Sequence, residues 1–296
     1  MESTDLRVFQ MVAREGSITR AALRLGYVQS NVTARIQQLE TELGTTLFYR
    51  HNRGMTLSSS GKTLLAYADK IVGLLDEAAR ALSGSSTPNG PLLIGSTQTC
   101  AAVRLPKLLA DYFEQYPDVR LSLTTEHSPL LIDKVLHYEL DGAFIGCPCH
   151  HPELQAYPVF KEELVIASAS SIANLDQAMK KPILVFSTGC SYREVLHQWL
   201  LAQGLPQSVI MEFGTLEAII GGVSAGLGIS LMPRGVIAKH EAEGTVRSHR
   251  IEEPFRHMTT EFIVRKDSLI SSALRAFMDM LPQPSVEQSL LPSDPN

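Results

Sequence analysis

The chain has 296 residues, more than one ordinary domain, and its hydrophobic content of 44% is ample for packed cores. Its net charge of −5 is unevenly divided: residues 1–90 hold ten Lys and Arg against eight Asp and Glu, and residues 91–296 hold sixteen against twenty-three. The N-terminus lacks the pattern of a signal peptide, and no run of about eighteen apolar residues indicates a membrane span. We therefore expect a cytoplasmic protein without a membrane partner, whose four cysteines are reduced thiols.

Three short helices are predicted near the N-terminus, and a tight turn joins the second to the third. Ser17 is expected to cap the second helix, and Gly26 can adopt the left-handed conformation that ends it. The third helix starts near Gln29, with apolar residues at i, i+4 and i+7 on one face and polar residues opposite. Such a polar face can read base edges in the DNA major groove, although an ordinary solvated helix pair is the alternative.

A hairpin is predicted next, because two short strand-like runs flank the turn at Asn52, Arg53 and Gly54. Arg50, His51 and Arg53 cluster there, which is typical of a wing that contacts DNA phosphates. The expected DNA-binding residues come from both the helices and the wing. They are Ser17, Thr19, Arg20, Gln29, Ser30, Thr33, Arg35, Arg50 and Arg53.

A long helix is predicted after the hairpin, with Ser58 as its cap. Apolar residues recur along it in alternating steps of four and three, the pattern of helix pairing between two chains. Packing against its own domain is the alternative. The expected dimerisation residues are Leu64, Ala68, Ile71, Leu75, Ala78 and Leu82. A stretch rich in Gly, Ser and Pro at residues 83–91 then indicates a domain boundary.

Residues 5–82 resemble the winged helix-turn-helix and linker helix of LysR-type transcriptional regulators, and a looser resemblance continues to about Leu281. The matching residues are Phe9, Val12, Gly16, Ser17, Ala21, Ala22, Leu25, Gln29, Val32, Ile36, Leu39, Glu40, Leu43, Gly44, Leu47, Phe48, Arg50, Leu57 and Gly61. Family recognition helices usually open with Ser-Gln-Pro and carry Ser then Arg in the next turn. Here those positions hold Val28-Gln29-Ser30 and Thr33-Ala34, so the operator preference is left open.

From Leu92 onward, short apolar runs alternate with amphipathic segments, which predicts alternating strands and helices. That alternation implies parallel sheets with helices on both faces and a ligand site beyond the C-terminal strand ends. The predicted strands are 92–95, 119–125, 143–146, 164–169, 183–186, 209–213, 227–232, 246–251 and 260–264. The predicted helices are 99–116, 130–138, 192–203, 216–225 and 268–281.

The resemblance implies an N-terminal all-α winged helix-turn-helix with a long linker helix, and a C-terminal α/β two-lobed, periplasmic-binding-protein-like effector domain. The implied segments are a DNA-binding domain at 1–58 with its helix-turn-helix at about 18–37, a linker helix and hinge at 59–90, lobe I at 91–164 plus 265–282, lobe II at 165–264, and a disordered tail at 283–296. The implied partners are double-stranded operator DNA, a small-molecule effector and a second copy of the chain in a homodimer or homotetramer. RNA polymerase is left open as a further partner, and no cofactor is expected.

The segment Gly95–Cys100 follows the first predicted strand and opens a helix, and its hydroxyls and amides suit an anionic group. The resemblance implies effector contacts in this loop, after the next two strands, and in the second lobe. The expected effector residues are Thr97, Gln98, Thr99, Cys100, His127, Ser128, Gly146, Cys190, Tyr192, Phe213 and Thr215. Because these loops hold few basic residues, a multiply charged phosphate would be poorly neutralised there. The expected effector is therefore a small metabolite with one carboxylate.

Three motifs keep rival functions open. Ser224 lies in a G-x-S-x-G motif typical of serine hydrolases, but the predicted order of helix then strand is the reverse of a nucleophile elbow. The run Cys147–His151 offers thiolates and imidazoles, although no second ligand pair follows at finger spacing, so no metal ligand is assigned. Cys190 precedes a predicted helix, which suits a redox sensor. The alternatives are an α/β ligand-binding or hydrolytic enzyme with a DNA-binding arm, or a metal- or thiol-sensing regulator.

Overall fold

The computed structural model describes residues 1–51, 54–82, 87–204, 209–267 and 270–282, with the backbone but not the side chains of residue 77 and residues 79–82. Arg53, the side chain of Leu82 and the expected disordered tail at 283–296 therefore lie outside the described residues. The chain divides near residue 84 into two compact units.

The N-terminal unit consists of four helices and a hairpin, as predicted. Its elements are α1 (Ser3–Glu15), α2 (Ile18–Leu25), α3 (Gln29–Leu43), β1 (Phe48–His51), β2 (Gly54–Leu57) and α4 (Ser59–Leu82). Ser17 caps α2 by accepting a hydrogen bond from the Arg20 amide at 3.4 Å. Gly26 ends α2 with φ of 67°, a left-handed conformation that costs glycine little.

The apolar stripes of α1 and α3 meet in one core. Phe9, Val12, Val32 and Ile36 are each 0% exposed, and the rings of Phe9 and Phe48 lie 5.2 Å apart. Burial of each such side chain stabilises the fold by about 1.5–3 kcal/mol. The helix-turn-helix is therefore held in position by a core built from the residues that carry the helical periodicity.

The wing is an antiparallel hairpin in which Arg50 pairs with Met55. It is fixed to the loop before α2, because the Met55 amide donates a hydrogen bond to the Gly16 carbonyl at 2.9 Å. Gly54 has φ of 132°, and a Cβ there would lie 2.4 Å from the same carbonyl oxygen. Only glycine fits this close approach, so Gly54 lets the hairpin pack directly on the loop before α2.

The residues of the predicted dimer seam on α4 do not all face the same way. Ala68 is 0% exposed, and Leu64 is partly buried in the core of the N-terminal unit. The prediction that these two residues form the dimer seam is therefore corrected: both pack within one chain. Ile71, Leu75 and Ala78 are exposed, together with Tyr67 and Leu74. The exposed apolar face of α4, defined as these five residues, is displaced around the helix from the buried side.

The C-terminal unit alternates strands and helices. Its elements are β3 (Gly90–Ser96), α5 (Gln98–Val103), α6 (Leu105–Gln115), β4 (Val119–Thr125), α7 (Ser128–Leu136), β5 (Gly142–Ile145), β6 (Leu154–Ala169), α8 (Leu175–Ala178), β7 (Ile183–Phe186), α9 (Ser191–Ala202), β8 (Ile210–Phe213), α10 (Leu216–Ser224), β9 (Ser230–Pro233), α11 (Arg234–Ala242), β10 (Val246–Arg250), β11 (His257–Arg265) and α12 (Ser272–Asp279). The single helix predicted at 99–116 is two helices, and α8 and α11 were not predicted.

The sheets are mixed, which corrects the prediction of parallel sheets. β3 pairs in parallel with β4 and β5, and β7 with β8. β11 pairs antiparallel with β5 and β6, and β6 pairs antiparallel with β9 and β10. The antiparallel pairs arise because the chain leaves one lobe along β6 and returns to it along β11.

Strand β6 divides the unit into two lobes. Its residues up to Glu163 pair with β11, and those from Leu164 onward pair with β9 and β10. Lobe I therefore contains β3, β4, β5 and β11, and lobe II contains β7 to β10. Phe144, Phe262 and Phe277 form the aromatic centre of lobe I, whereas Trp199 is buried in lobe II.

Candidate functional site

Helix α3 presents an exposed polar surface at its N-terminal turn. Gln29, Ser30 and Asn31 are exposed, and Val28 before them provides no side-chain cap. The Gln29 side-chain oxygen accepts a hydrogen bond from the Thr19 hydroxyl at 3.2 Å. Thr33 is half-buried and donates to the Gln29 carbonyl at 2.9 Å, so its hydroxyl is used within the helix. Asn31, which the sequence analysis did not select, belongs to the same exposed surface.

The structure places Arg35 toward α1 rather than with these exposed groups. Its guanidinium donates to Asp5 at 2.6 Å and to Asn31 at 3.0 Å, and Asp5 is only 4% exposed. A buried carboxylate needs such a partner. The geometry favours a positioning role for Arg35, because its charge is used to hold α3 against α1.

The other expected DNA-binding residues occupy the helix-turn-helix edge and the wing. Arg20 donates to the Glu15 carbonyl and lies 3.7 Å from the Glu15 carboxylate, while two-thirds of its side chain stays exposed. Thr19 is exposed in α2, and Arg50 is exposed on β1. Arg53 lies outside the described residues.

A polar pocket lies between the lobes of the C-terminal unit. It is formed where β3, β4 and β5 end in lobe I and where α9 begins in lobe II, and in the described conformation it offers a cavity of about 60 Å³. Ligand pockets commonly enclose about 300–1,000 Å³, so a small-molecule ligand would need the lobes to move apart. Its lining residues are Thr97, Gln98, Thr99, Thr125, Glu126, His127, Ser128, Gly146, Phe186, Cys190, Ser191 and Tyr192.

Eight of the eleven expected effector residues are among this lining, and three are not. Cys100 is 3% exposed and packs in the core of lobe I. Phe213 lies in β8, and the Thr215 hydroxyl caps α10 by accepting from the Ala218 amide at 3.2 Å. Cys100 is therefore corrected here to a core position, and effector contacts by Phe213 and Thr215 stay predictions. The sequence analysis missed Thr125 and Phe186, although each ends a predicted strand, whereas Glu126 and Ser191 lie inside loop segments where effector contacts were expected.

Hydroxyl contacts join the two lobes across the pocket. Thr99 Oγ1 and Tyr192 Oη are 2.8 Å apart in a buried hydrogen bond. Burial raises the pKa of the Tyr192 phenol, so it stays neutral and able to donate. Ser128 Oγ and Ser191 Oγ are 3.3 Å apart, and Ser128 Oγ also accepts from the Gly146 amide at 3.1 Å. The described conformation is therefore closed, with polar groups of the two lobes paired to each other.

The pocket carries little positive charge. Within the described residues its lining includes no Lys or Arg, and Glu126 is its one carboxylate. Arg193, the basic residue expected near the cleft, donates to Glu212 at 2.6 Å and to the Phe186 carbonyl at 3.3 Å. Its charge is therefore neutralised beside the pocket.

Three of the four cysteines lack the environment of reactive thiols. Burial raises the pKa of the Cys190 thiol, and this outweighs the amides of Arg193 and Tyr192, which act in the opposite direction. Burial likewise raises the pKa of Cys147, and raises that of Cys100 to about 12. All three are protonated at neutral pH, whereas the thiolate is the reactive species. Across the described residues, no group of three or more His, Cys, Asp or Glu side chains could hold a metal ion.

Ser224 does not occupy a nucleophile elbow. It is the last residue of α10, and β9 follows it, whereas an elbow requires a strand before the serine and a helix after it. Its hydroxyl is buried and has no hydrogen-bond partner among the described residues.

Together, these two units define a class of protein. A winged helix-turn-helix with an exposed polar recognition helix is an element that docks on DNA. A two-lobed α/β domain with a polar pocket between its lobes is an element that binds small molecules. The combination is that of a ligand-responsive DNA-binding protein.

Comparisons with known proteins identify the family. Residues 3–62 match the model of the bacterial regulatory helix-turn-helix protein, lysR family, and residues 85–283 match the LysR substrate binding domain. The chain is 72% identical to the HTH-type transcriptional regulator YusT of Bacillus subtilis over 279 residues, 94% of this chain and 95% of the relative. It is 52% identical to the regulator GltR of the same organism over 92% of this chain and 93% of the relative.

Solved structures share the fold. A full-length OxyR variant from Pseudomonas aeruginosa matches with a TM-score of 0.74 at 23% identity, covering 97% of this chain and 99% of the other. Full-length CbnR in complex with its target DNA matches with a TM-score of 0.69 at 22% identity, covering 95% and 99%.

The chain belongs to the LysR family of transcriptional regulators. It is a DNA-binding regulator with a helix-turn-helix domain and a substrate-binding domain, and it is not an enzyme. None of the described helices is both long enough and apolar enough to cross a membrane.

Proposed function

We propose that the exposed start of α3 reads operator bases in the major groove while the wing contacts phosphates. The proposal is supported by Gln29, Ser30 and Asn31, which are exposed side by side. Gln pairs with adenine and Ser with several bases, so this surface can discriminate sequences. Arg50 on the wing and Arg20 on α2 provide exposed positive charge for phosphates on either side.

We also propose that the pocket between the lobes binds the effector, a small metabolite with one carboxylate. The pocket itself is the observation that carries this proposal. Its hydroxyls offer hydrogen bonds, and α9, a helix of 12 residues, begins there at Ser191. The N-terminal end of a helix favours a negative group by about 0.3–1 kcal/mol. Binding would rearrange the hydroxyl pairs that now join the lobes.

Two further proposals concern assembly and location. The exposed apolar face of α4 is an unusual feature for a surface, since it places Tyr67, Ile71, Leu74 and Leu75 in water. We infer that a second copy of the chain covers this face in a homodimer, because apolar helix faces pair in this way. We also infer that the protein acts in the cytoplasm, where a chromosomal operator is accessible.

A mobility-shift assay of the full chain tests the proposed function. The probe is DNA from upstream of the protein's own gene, and competitor DNA of the same length and scrambled sequence is the control. The expected result is specific binding that one class of small carboxylates alters in a metabolite panel. Equal binding to both DNAs would contradict the DNA proposal, and specific binding that no metabolite alters would contradict the effector proposal.

A further inference from the structure

Glu126 is a pocket residue whose carboxylate has no paired side chain within the part of the chain that the structure describes. It follows β4 and precedes α7, it is half-buried, and it lines the pocket between Thr125 and His127. Its backbone amide donates to the Ser96 carbonyl at 3.1 Å, which fixes the main chain at this point. Among the described residues, no side chain forms a hydrogen bond or an ion pair with the Glu126 carboxylate.

Two arginines that follow pocket segments in the sequence, Arg193 and Arg104, already form ion pairs with other carboxylates. Arg193 beside the pocket is paired with Glu212, as described above. Arg104, at the break between α5 and α6, forms a two-pronged ion pair with Glu162 at 2.8 and 2.9 Å. Glu162 is 5% exposed and therefore depends on that partner. Neither guanidinium can turn toward Glu126 without leaving a carboxylate unpaired, which is costly for the buried Glu162.

A ligand with a carboxylate alone is therefore a poor match for this pocket. Its charge would have the same sign as Glu126, with no Lys or Arg in the described lining to offset the repulsion. A ligand that also carries an ammonium group removes this conflict, because ammonium donates charge-assisted hydrogen bonds to a carboxylate.

We propose that the effector is a small amino acid or a similar zwitterion, whose ammonium group pairs with Glu126. Its carboxylate lies toward the beginning of α9 and the Ser191 hydroxyl in lobe II. This inference rests on the proposed function of the pocket and narrows its ligand from carboxylates to amine-bearing carboxylates. Glu126 then selects the ligand by charge, and the hydroxyls orient it.

Calorimetric titration of the full chain tests the inference. The probes are the individual L-amino acids, and for each one that binds, the carboxylic acid in which hydrogen replaces the amine. Wild type, Glu126→Gln and Glu114→Gln are compared. Glu114 is exposed on α6 and is not in the pocket lining, so its variant makes the same charge change elsewhere in lobe I. Melting temperature and affinity for upstream DNA show whether each variant is folded.

The expected result is that an amino acid binds wild type and Glu114→Gln alike, and binds Glu126→Gln roughly ten- to a hundredfold more weakly, as for loss of a hydrogen bond between charged groups. The matched carboxylic acid should bind wild type weakly and gain affinity in Glu126→Gln.

If the carboxylic acid binds wild type as tightly as the amino acid does, the inference is wrong while the pocket remains the effector site. If no amino acid binds, the inference is also wrong, and the mobility-shift panel decides separately whether the protein responds to another metabolite.

Discussion

Asp5 and Arg35 show how a charged residue on a recognition helix can act inside the protein. Asp5 lies almost entirely out of water, and the Arg35 guanidinium satisfies it at 2.6 Å. Gln29, at the beginning of the same helix, instead has an exposed side chain that Thr19 orients through a hydrogen bond. The two residues should therefore affect different measurements when they are replaced.

Arg35→Ala should lower the free energy of unfolding by about 1–3 kcal/mol, because the buried Asp5 carboxylate loses its charged donor and keeps only the Glu2 amide. Urea unfolding of the full chain, monitored by a signal from the N-terminal unit, measures this change. Arg24→Ala is the matched control, since Arg24 is 73% exposed and lies 3.4 Å from Glu15 in a surface ion pair, which is worth little. Equal stability of the two variants would mean that Arg35 is free to serve the DNA.

Gln29→Ala should weaken binding to specific operator by about 1–3 kcal/mol and leave stability unchanged, because the proposed function gives Gln29 base contacts and its side chain is exposed. Gln38→Ala is the control: Gln38 is exposed nine residues later, on the opposite side of the helix. Fluorescence anisotropy with specific and scrambled DNA measures both affinities. A loss that is the same for both DNAs would show that Gln29 does not read sequence.

Cys190 should react slowly at neutral pH, because burial raises the pKa of its thiol and leaves less thiolate than in a free cysteine. Mass spectrometry after timed alkylation of the folded protein measures modification at this residue. We expect the rate to rise only at a pH above that needed for free cysteine, and peroxide treatment to leave DNA affinity unchanged. Rapid alkylation of Cys190 at neutral pH would instead support the thiol-sensing alternative.

At the scale of elements, local signals predicted what local chemistry determines. Ser17 and Gly26 delimit α2 because a cap and a left-handed glycine act within a few residues. The break between α5 and α6 was missed, although Pro106 in the first turn of α6 marks a helix start. Strand pairing was not predictable in the same way, because β6 and β11 are far apart in sequence and become antiparallel only through the two-lobed topology.

The candidate pocket was predictable to a similar degree. The ends of β3, β4 and β5 and the start of α9 were located from their apolar runs, so most of the lining was found. Glu126 lies in a loop where effector contacts were expected, but the sequence does not reveal whether a basic residue pairs with it. Phe213 and Thr215 lie outside the pocket lining, and the sequence alone does not reveal that Thr215 caps α10.

Helix α4 provides a prediction at this scale. Ile71→Glu should lower the oligomer mass measured by light scattering, because a dimer would have to bury an unpaired carboxylate. Ser59→Glu adds the same charge at the exposed start of α4, outside the exposed apolar face, and should leave the mass unchanged. An unchanged mass for Ile71→Glu would exclude this face as the dimer interface.

At the scale of the whole molecule, the chain combines a unit with an exposed recognition helix and a unit with a polar pocket. The positive excess of residues 1–90 and the negative excess of residues 91–296 agree with DNA binding by the first unit alone. In a ligand-responsive regulator, ligand binding in one unit changes the DNA affinity of the other. The size of that change is the coupling free energy between the two sites.

Operator binding by a variant with a narrowed pocket tests this coupling most directly. A Cβ at Gly146 would meet the end of the Met258 side chain at 3.3 Å and Ser191 Oγ at 3.5 Å, so Gly146→Val narrows the pocket at the beginning of α9, and Gly146→Ala does so in part. Fluorescence anisotropy measures the operator affinity of the full chain with and without an effector found in the panel. We predict that wild type responds, that Gly146→Ala responds only at higher effector concentration, and that Gly146→Val binds the operator without responding. A Gly146→Val protein that responds as wild type does would contradict the assignment of the pocket as the regulatory site.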